Sequence, residues 1–122
     1  MEMTAHQRHF GVNDEDEPFI FLWTHDEDRD FVFSLTRPVD GGDAAPIEYM
    51  VLDQMYEAIT DFDCQIDDDC IRAQVPFALR RHTSNSDEIV VHHRCTGDTL
   101  RELIDVLRAI FKGKAGLTIH VN

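Results

Sequence analysis

The chain has 122 residues, which is too few for two domains of ordinary size. Apolar residues make up 43% of it, which is enough for one continuous hydrophobic core. It carries 24 acidic and 11 basic residues, a formal net charge of −13. Such a charge repels nucleic acids and anionic membranes, and it attracts basic proteins or metal cations.

The first residues lack the apolar run of a signal peptide, and no stretch approaches the roughly 18 consecutive apolar residues of a membrane span. The three cysteines, Cys64, Cys70 and Cys95, form neither a C-x-x-C pair nor an even set, which is typical of reduced thiols. A disulfide bridge between Cys64 and Cys70 is the alternative to reduced thiols. Because reduced thiols and the lack of a signal peptide are both typical of the cytoplasm, the sequence predicts a cytoplasmic protein.

Residues 1–18 are predicted to form a mobile acidic arm, because the run of residues 13–17 is too charged to pack. The folded part, a single α+β domain, is then expected to occupy residues 19–122.

The domain is predicted to begin with a hairpin. Residues 19–24 are apolar on both alternating faces, as in a strand that is covered on both sides, and residues 31–37 alternate. The hydrophilic residues 25–30 between them are typical of a hairpin loop.

A first helix is predicted next, with Asp43 as its N-cap and Pro46 in its first turn. Its apolar residues recur at helical spacing and would form one stripe packed on a sheet. They are Ile47, Val51, Met55, Ala58, Ile59 and Phe62.

The second half repeats this order. Strands are expected at residues 71–77, with Phe77 inward, and at 88–95. Thr99 and Glu102 stand at capping-box spacing before a second amphipathic helix, and residues 117–121 alternate as a closing strand. The predicted order is β-β-α-β-β-α-β: a mostly antiparallel sheet of about five strands with two helices packed on one face.

Two clusters could bind metal. Residues 26–30 have the D-x-D-x-D spacing of a calcium loop, but Phe31 and Arg37 stand where such a loop needs glycine and glutamate, which favours a solvated hairpin tip. His93 and Cys95 share one strand face and would suit zinc, but no further ligand has finger or ribbon spacing. A buried, hydrogen-bonded histidine beside an apolar thiol is the favoured interpretation, and no cofactor is predicted.

An enzyme is the main alternative to a binding protein. A metal- or phosphate-dependent site could be built around His92, His93 and Cys95 with the basic residues 80–82. The sequence has no glycine-rich phosphate loop, no nucleophile elbow and no H-E-x-x-H motif, so it favours a non-enzymatic role.

The charge is distributed unevenly along the chain. Residues 1–70 hold 19 acids and three bases, whereas residues 71–122 hold five acids and eight bases. Blanket salt adaptation, a third interpretation, would acidify both halves. The asymmetry instead favours an acidic face that attracts a cationic partner.

The exposed side of the predicted first helix is the expected binding face. Acidic side chains repeat there every four residues beside two tyrosines, and aromatic residues are enriched in protein interfaces. The predicted partner-binding residues are Tyr49, Asp53, Tyr56, Glu57 and Asp61. We expect a basic protein partner, such as a nuclease toxin, and an inhibitor or immunity-type role, with no binding of nucleic acid or membrane.

Overall fold

The computed structural model describes residues 1–52 and 54–122, and it confirms the α+β class. The described residues form two five-stranded, mostly antiparallel sheets, one α-helix and a short 3-10 helix (Phe77–His82). The elements are β1 (Glu2–Thr4), β2 (Gln7–Asn13), β3 (Phe19–Asp26), β4 (Phe31–Pro38), β5 (Ile47–Val51), β6 (Met55–Ile59), β7 (Cys64–Asp67), β8 (Cys70–Gln74), β9 (Glu88–His92), α1 (Gly97–Ile110) and β10 (Leu117–His120). The prediction of a single sheet with two α-helices is not confirmed.

The first sheet, which we call the meander sheet, contains β2 to β6 in chain order, each antiparallel to the next. The predicted hairpin of β3 and β4 is confirmed, with Phe19 opposite Pro38 and Asp26 opposite Phe31. All strands of this sheet come from residues 7–59, which lie within the acidic part of the chain.

The second sheet, the mixed sheet, has the order β1-β9-β8-β7-β10. Its central strands are antiparallel, whereas β1 runs parallel to β9 and β10 runs parallel to β7. The expected antiparallel pairing of β8 with β9 is confirmed, although the 3-10 helix lies between them in the chain.

One core joins both sheets and α1. The helix packs mainly against β2, β3 and β4 through the predicted apolar stripe, which is buried. It begins earlier than predicted, with Thr96 as N-cap, so Thr99 lies inside its first turn. None of the helices in the described residues is long and apolar enough to cross a membrane.

The predicted first helix is wrong, because its residues form the hairpin of β5 and β6. Apolar residues four positions apart fit a helix, but an even spacing also puts residues on one face of a strand. Ile47 pairs with Ile59 and Val51 with Met55, so these four residues of the apparent helical stripe lie on one face of a hairpin, whereas Ala58, opposite Glu48, lies on the other.

The predicted boundary at residue 19 is also wrong. The supposed arm contributes β1 and β2, and Met3 and Ala5 are buried in the core. Strand β1 pairs with β9, nearly ninety positions later in the chain, and such a long-range pairing leaves no local pattern in the sequence. Only the acidic turn between β2 and β3 matches the solvated segment that was expected.

Two smaller predictions need correction. Strand β8 ends at Gln74, and Phe77 starts the 3-10 helix with 84% of its surface exposed instead of pointing inward. The intervening Pro76 lacks the N–H that a ladder needs, which explains the early end of the strand. Strand β7 was not predicted, because the surrounding aspartates hid its short alternation.

Candidate protein-binding face

Strand β3 divides its side chains between two environments. Ile20, Leu22, Thr24 and Asp26 are buried on the inner face, whereas Phe19, Phe21, Trp23 and His25 are half-buried on the other side. The sequence predicted a strand covered on both faces, but the core covers only one. The aromatic side of β3 therefore belongs to the outer face of the meander sheet.

The pairing register places one row of side chains straight across this outer face. It consists of His9, Trp23, Ser34, Met50 and Tyr56, one from each strand. Ser34 is buried between larger neighbours, and Tyr56 at the sheet edge is 60% exposed. The surface is therefore lowest at the central Ser34, and larger side chains stand on both sides of it.

Aromatic rings pack along β3 and onto β2. The Trp23 ring lies 5.5 Å from the ring of His9 and 5.8 Å from that of His25, at interplanar angles of 31° and 26°. Phe19 and Phe21 have ring centroids 6.0 Å apart. Rings held by one another lose little freedom when a partner covers them, so they can serve as rigid anchors.

The aromatic side chains on the outer side of β3 lead, at Phe19, into an open groove of about 570 Å³ at one end of the face. Its walls are largely apolar and include Phe19, Pro38 and Pro46. Four carboxylates stand along it, and none of them forms an ion pair with another described residue. They are Asp16, Glu17, Asp40 and Glu48.

No basic side chain lines the described part of this groove. Residues 7–61 contain three arginines, and each is placed elsewhere. Arg8 and Arg37 belong to the inner-face positions of β2 and β4, and Arg29 lies in the turn after β3. The negative charge at the groove is therefore not neutralised within this sheet.

The five residues predicted to bind the partner do not share one surface. Tyr49 is fully buried on the inner face, with its ring edge-on to Phe33 and Phe62. Burial, and less strongly Cys64, raises the pKa of the Tyr49 phenol well above its ordinary value. The prediction that Tyr49 is an exposed anchor is wrong, because in a strand it follows Ile47 onto the inner face.

The other four predicted residues differ from one another. Tyr56 is exposed on the outer face, and Glu57, opposite Tyr49, is exposed on the other side of the same edge strand. The Asp61 carboxylate accepts backbone N–H groups of residues 62, 115 and 116, so it holds a loop. Asp53 lies outside the described residues.

The favoured interpretation of His93 and Cys95 is confirmed. His93 is buried; its Nδ1 accepts the Cys95 N–H at 3.0 Å, and its Nε2 lies 3.0 Å from the Asp67 carbonyl oxygen. The Cys95 thiol donates to the carbonyl of His93. Both imidazole nitrogens are thus engaged with the backbone, and His92 lies on the opposite face of the sheet from its neighbour.

The hairpin tip brings His6, Asp26 and Asp28 together in a geometry that could hold a cation. The two Asp26 oxygens and His6 Nδ1 already accept backbone hydrogen bonds, however. Asp26 accepts N–H groups from Thr4, Asp28 and Arg29, and His6 Nδ1 accepts that of residue 27. Burial alone would raise the pKa of Asp26, but these backbone donors outweigh it and lower the pKa. The cluster therefore stabilises the turn that follows β3.

Comparison with protein-family models, with curated proteins and with solved structures gave no match for this chain.

Proposed function

We propose that this chain is an acidic protein-binding domain that neutralises a basic protein partner through the outer face of its meander sheet. The role is that of an inhibitor or immunity-type protein, acting by binding rather than by catalysis. A nuclease toxin with a cationic active site fits this role. The three unpaired thiols support placing the interaction in the cytoplasm.

One observation carries the proposal: an aromatic sheet face leads into a groove whose carboxylates have no ion-pair partner in the described residues. Aromatic side chains supply the desolvated centre of an interface, and unneutralised charge at its margin steers the opposite charge toward it.

The groove also fits the chemistry of a basic side chain. A lysine or arginine of the partner can lay its aliphatic stem on Phe19, Pro38 and Pro46 and bring its cation to Asp40 or Glu48. Where the partner binds phosphates, the carboxylates take the positions of these anions. The field of a protein with a net charge of −13 disfavours the binding of nucleic acid and anionic lipid at the same face.

The experiment separates this face from the overall charge of the protein. Asp40→Lys with Glu48→Lys reverses two groove carboxylates, and Asp98→Lys with Asp105→Lys makes the same change in net charge on exposed positions of α1. A basic partner is captured from the native host and purified, and its binding kinetics are measured at two salt concentrations.

The groove variant should slow association by about tenfold or more at low salt, and the α1 variant should have a much smaller effect. Trp23→Ala should instead speed dissociation with little salt dependence, because its contribution is desolvated contact. Equal losses in the two charge variants would show that the partner responds only to the overall field and that this face is not the site.

A further inference from the structure

The outer face of the mixed sheet places a thiol beside an imidazole. Cys70 and His92 are direct cross-strand partners on β8 and β9, and Thr4 of β1 continues the row. The neighbouring residues Ile71 and Val91 point into the core, so Cys70 and His92 point away from it. The sequence placed Cys95 in a candidate site with His92, but strand pairing puts Cys70 directly opposite His92.

Three side chains follow one another on this face, although the third, Glu2, pairs with Val90 and not with His92. The Cys70 Sγ lies 3.3 Å from His92 Nδ1. His92 Nε2 lies 3.7 Å from a carboxylate oxygen of Glu2, and the side chain of His92 is 41% exposed. A thiol, a base and a carboxylate beyond the base form the order in which activated cysteine nucleophiles are built.

The other two cysteines lack a base. Cys64 faces the core, and burial raises its pKa to about 12. Cys95 is fully buried and its thiol donates to a carbonyl oxygen, which cannot take the proton away. The protein therefore contains its own controls for the environment of Cys70.

We propose that Cys70, His92 and Glu2 form a thiol-modification site that reacts with small cationic disulfides. His92 Nδ1 takes the proton of the Cys70 thiol while the sulfur attacks one sulfur of the disulfide. The new S–S bond forms as the old one breaks, and the leaving thiolate receives the proton from His92. One disulfide and one thiol are consumed, and one mixed disulfide and one thiol are produced, with no other oxidant.

A base is needed because the thiolate is disfavoured at rest. Burial, followed by the charge of Asp67, raises the pKa of Cys70, which is 7% exposed. The thiol is protonated at neutral pH, so its proton must leave as the new bond forms. Glu2 has a positioning role, because its carboxylate faces His92 Nε2 and thereby turns Nδ1 toward the Cys70 thiol.

The charges around Cys70 determine whether cationic or anionic disulfides react faster with it. Three carboxylates, those of Asp67, Asp69 and Glu2, act on the Cys70 thiol against one cation, Arg72. Arg72 is itself paired with Glu88 at 3.6 Å. Cystamine, which is cationic, should therefore react faster than the anionic oxidised glutathione.

The test measures the rate of mixed-disulfide formation at each cysteine by mass spectrometry. With cystamine, Cys70 should react at least about tenfold faster than Cys64 or Cys95, and His92→Gln should lower its rate by about tenfold or more. In guanidinium the three thiols should react alike, which attributes the difference to the fold.

A pH series tests the role of Glu2. Glu2→Gln should change the pH profile of the Cys70 rate without unfolding the protein, whereas a residue with a merely structural role would leave that profile unchanged. The proposal is wrong if Cys70 reacts no faster than Cys95, or if His92→Gln leaves its rate unchanged while the variant remains folded. A preference for oxidised glutathione would refute the charge selection.

Discussion

The outer faces of the two sheets differ in what surrounds their charges. On the mixed sheet, carboxylates outnumber the one cation near Cys70, but Arg72 pairs with Glu88 and polar side chains such as Gln74 surround that pair. On the meander sheet, half-buried aromatic rings lead to the carboxylates of the groove, for which no arginine or lysine is provided. Net charge alone does not identify a binding face. What distinguishes the meander sheet is acidity without local compensation beside apolar surface.

The largest effect is expected from the buried arginine of the meander sheet. Arg37 donates hydrogen bonds of 2.6 to 3.0 Å to four carbonyl oxygens, two at the end of α1 and two in the loop after β4. Arg37→Met would leave all four acceptors without this donor. We expect a loss of about 3 kcal/mol or more in the free energy of unfolding, measured by urea denaturation.

The matched control is the exposed arginine of the mixed sheet. Arg72→Met removes only a surface ion pair, so its cost should stay below about 1 kcal/mol. Similar losses in the two variants would show that Arg37 does not hold α1 to the meander sheet as the geometry indicates.

A second comparison uses one aspartate from each sheet. Asp26 ends β3 and Asp67 ends β7, and each accepts the backbone N–H groups two and three residues later. In both cases burial opposes ionisation but backbone donors outweigh it, so both pKa values lie below the ordinary 3.8. A carboxylate whose pKa is lowered by folding stabilises the fold at pH values above its pKa in the unfolded state. This stabilisation is lost as the pH falls through the pKa of the folded state.

Asp26 should contribute more than Asp67, because it is almost fully buried and also accepts the N–H of Thr4. We expect Asp26→Asn to cost about 1 to 3 kcal/mol near pH 7, and Asp67→Asn to cost less. The cost of each substitution should shrink below pH 4, where the carboxylates of the wild type become protonated. Urea denaturation across this pH range measures both effects, and a cost that does not change with pH would exclude the ionised carboxylate as its source.

Local pattern predicted those elements whose neighbours are close in sequence. The second helix and the β3–β4 hairpin have periodicity and turns of their own, and both are confirmed. The β5–β6 segment failed because its spacing of four fits a helix and a hairpin equally, and pairing with β4 decides between them. For β1 the deciding partner is β9, which no local window contains.

The candidate face was only partly accessible from the sequence. The acidity of the first half indicated the segment of the chain that contains the proposed face, since the meander sheet lies wholly within it. The doubly apolar pattern of β3 was the missed signal: a strand that is apolar on both sides but packed on one exposes an aromatic face. Tyr49 was misplaced because the choice between helix and strand determines the direction of every side chain in its segment.

The smallest effect concerns salt, and it compares the uncompensated groove of the meander sheet with the charge-paired surface of α1. With a Debye length near 10 Å in 0.1 M salt, the repulsion from a net charge of −13 should be tolerable, so the protein should fold cooperatively at low salt. Relief of repulsion should be greater in Asp40→Lys with Glu48→Lys than in Asp98→Lys with Asp105→Lys, because Asp98 and Asp105 already face Arg101 and Arg108. We expect a difference of about 0.5 kcal/mol that disappears at high salt. Thermal melts in about 0.05 M and about 2 M KCl measure it. A wild-type protein that is unfolded at low salt would instead favour general salt adaptation, since an uncompensated binding face needs no salt to fold.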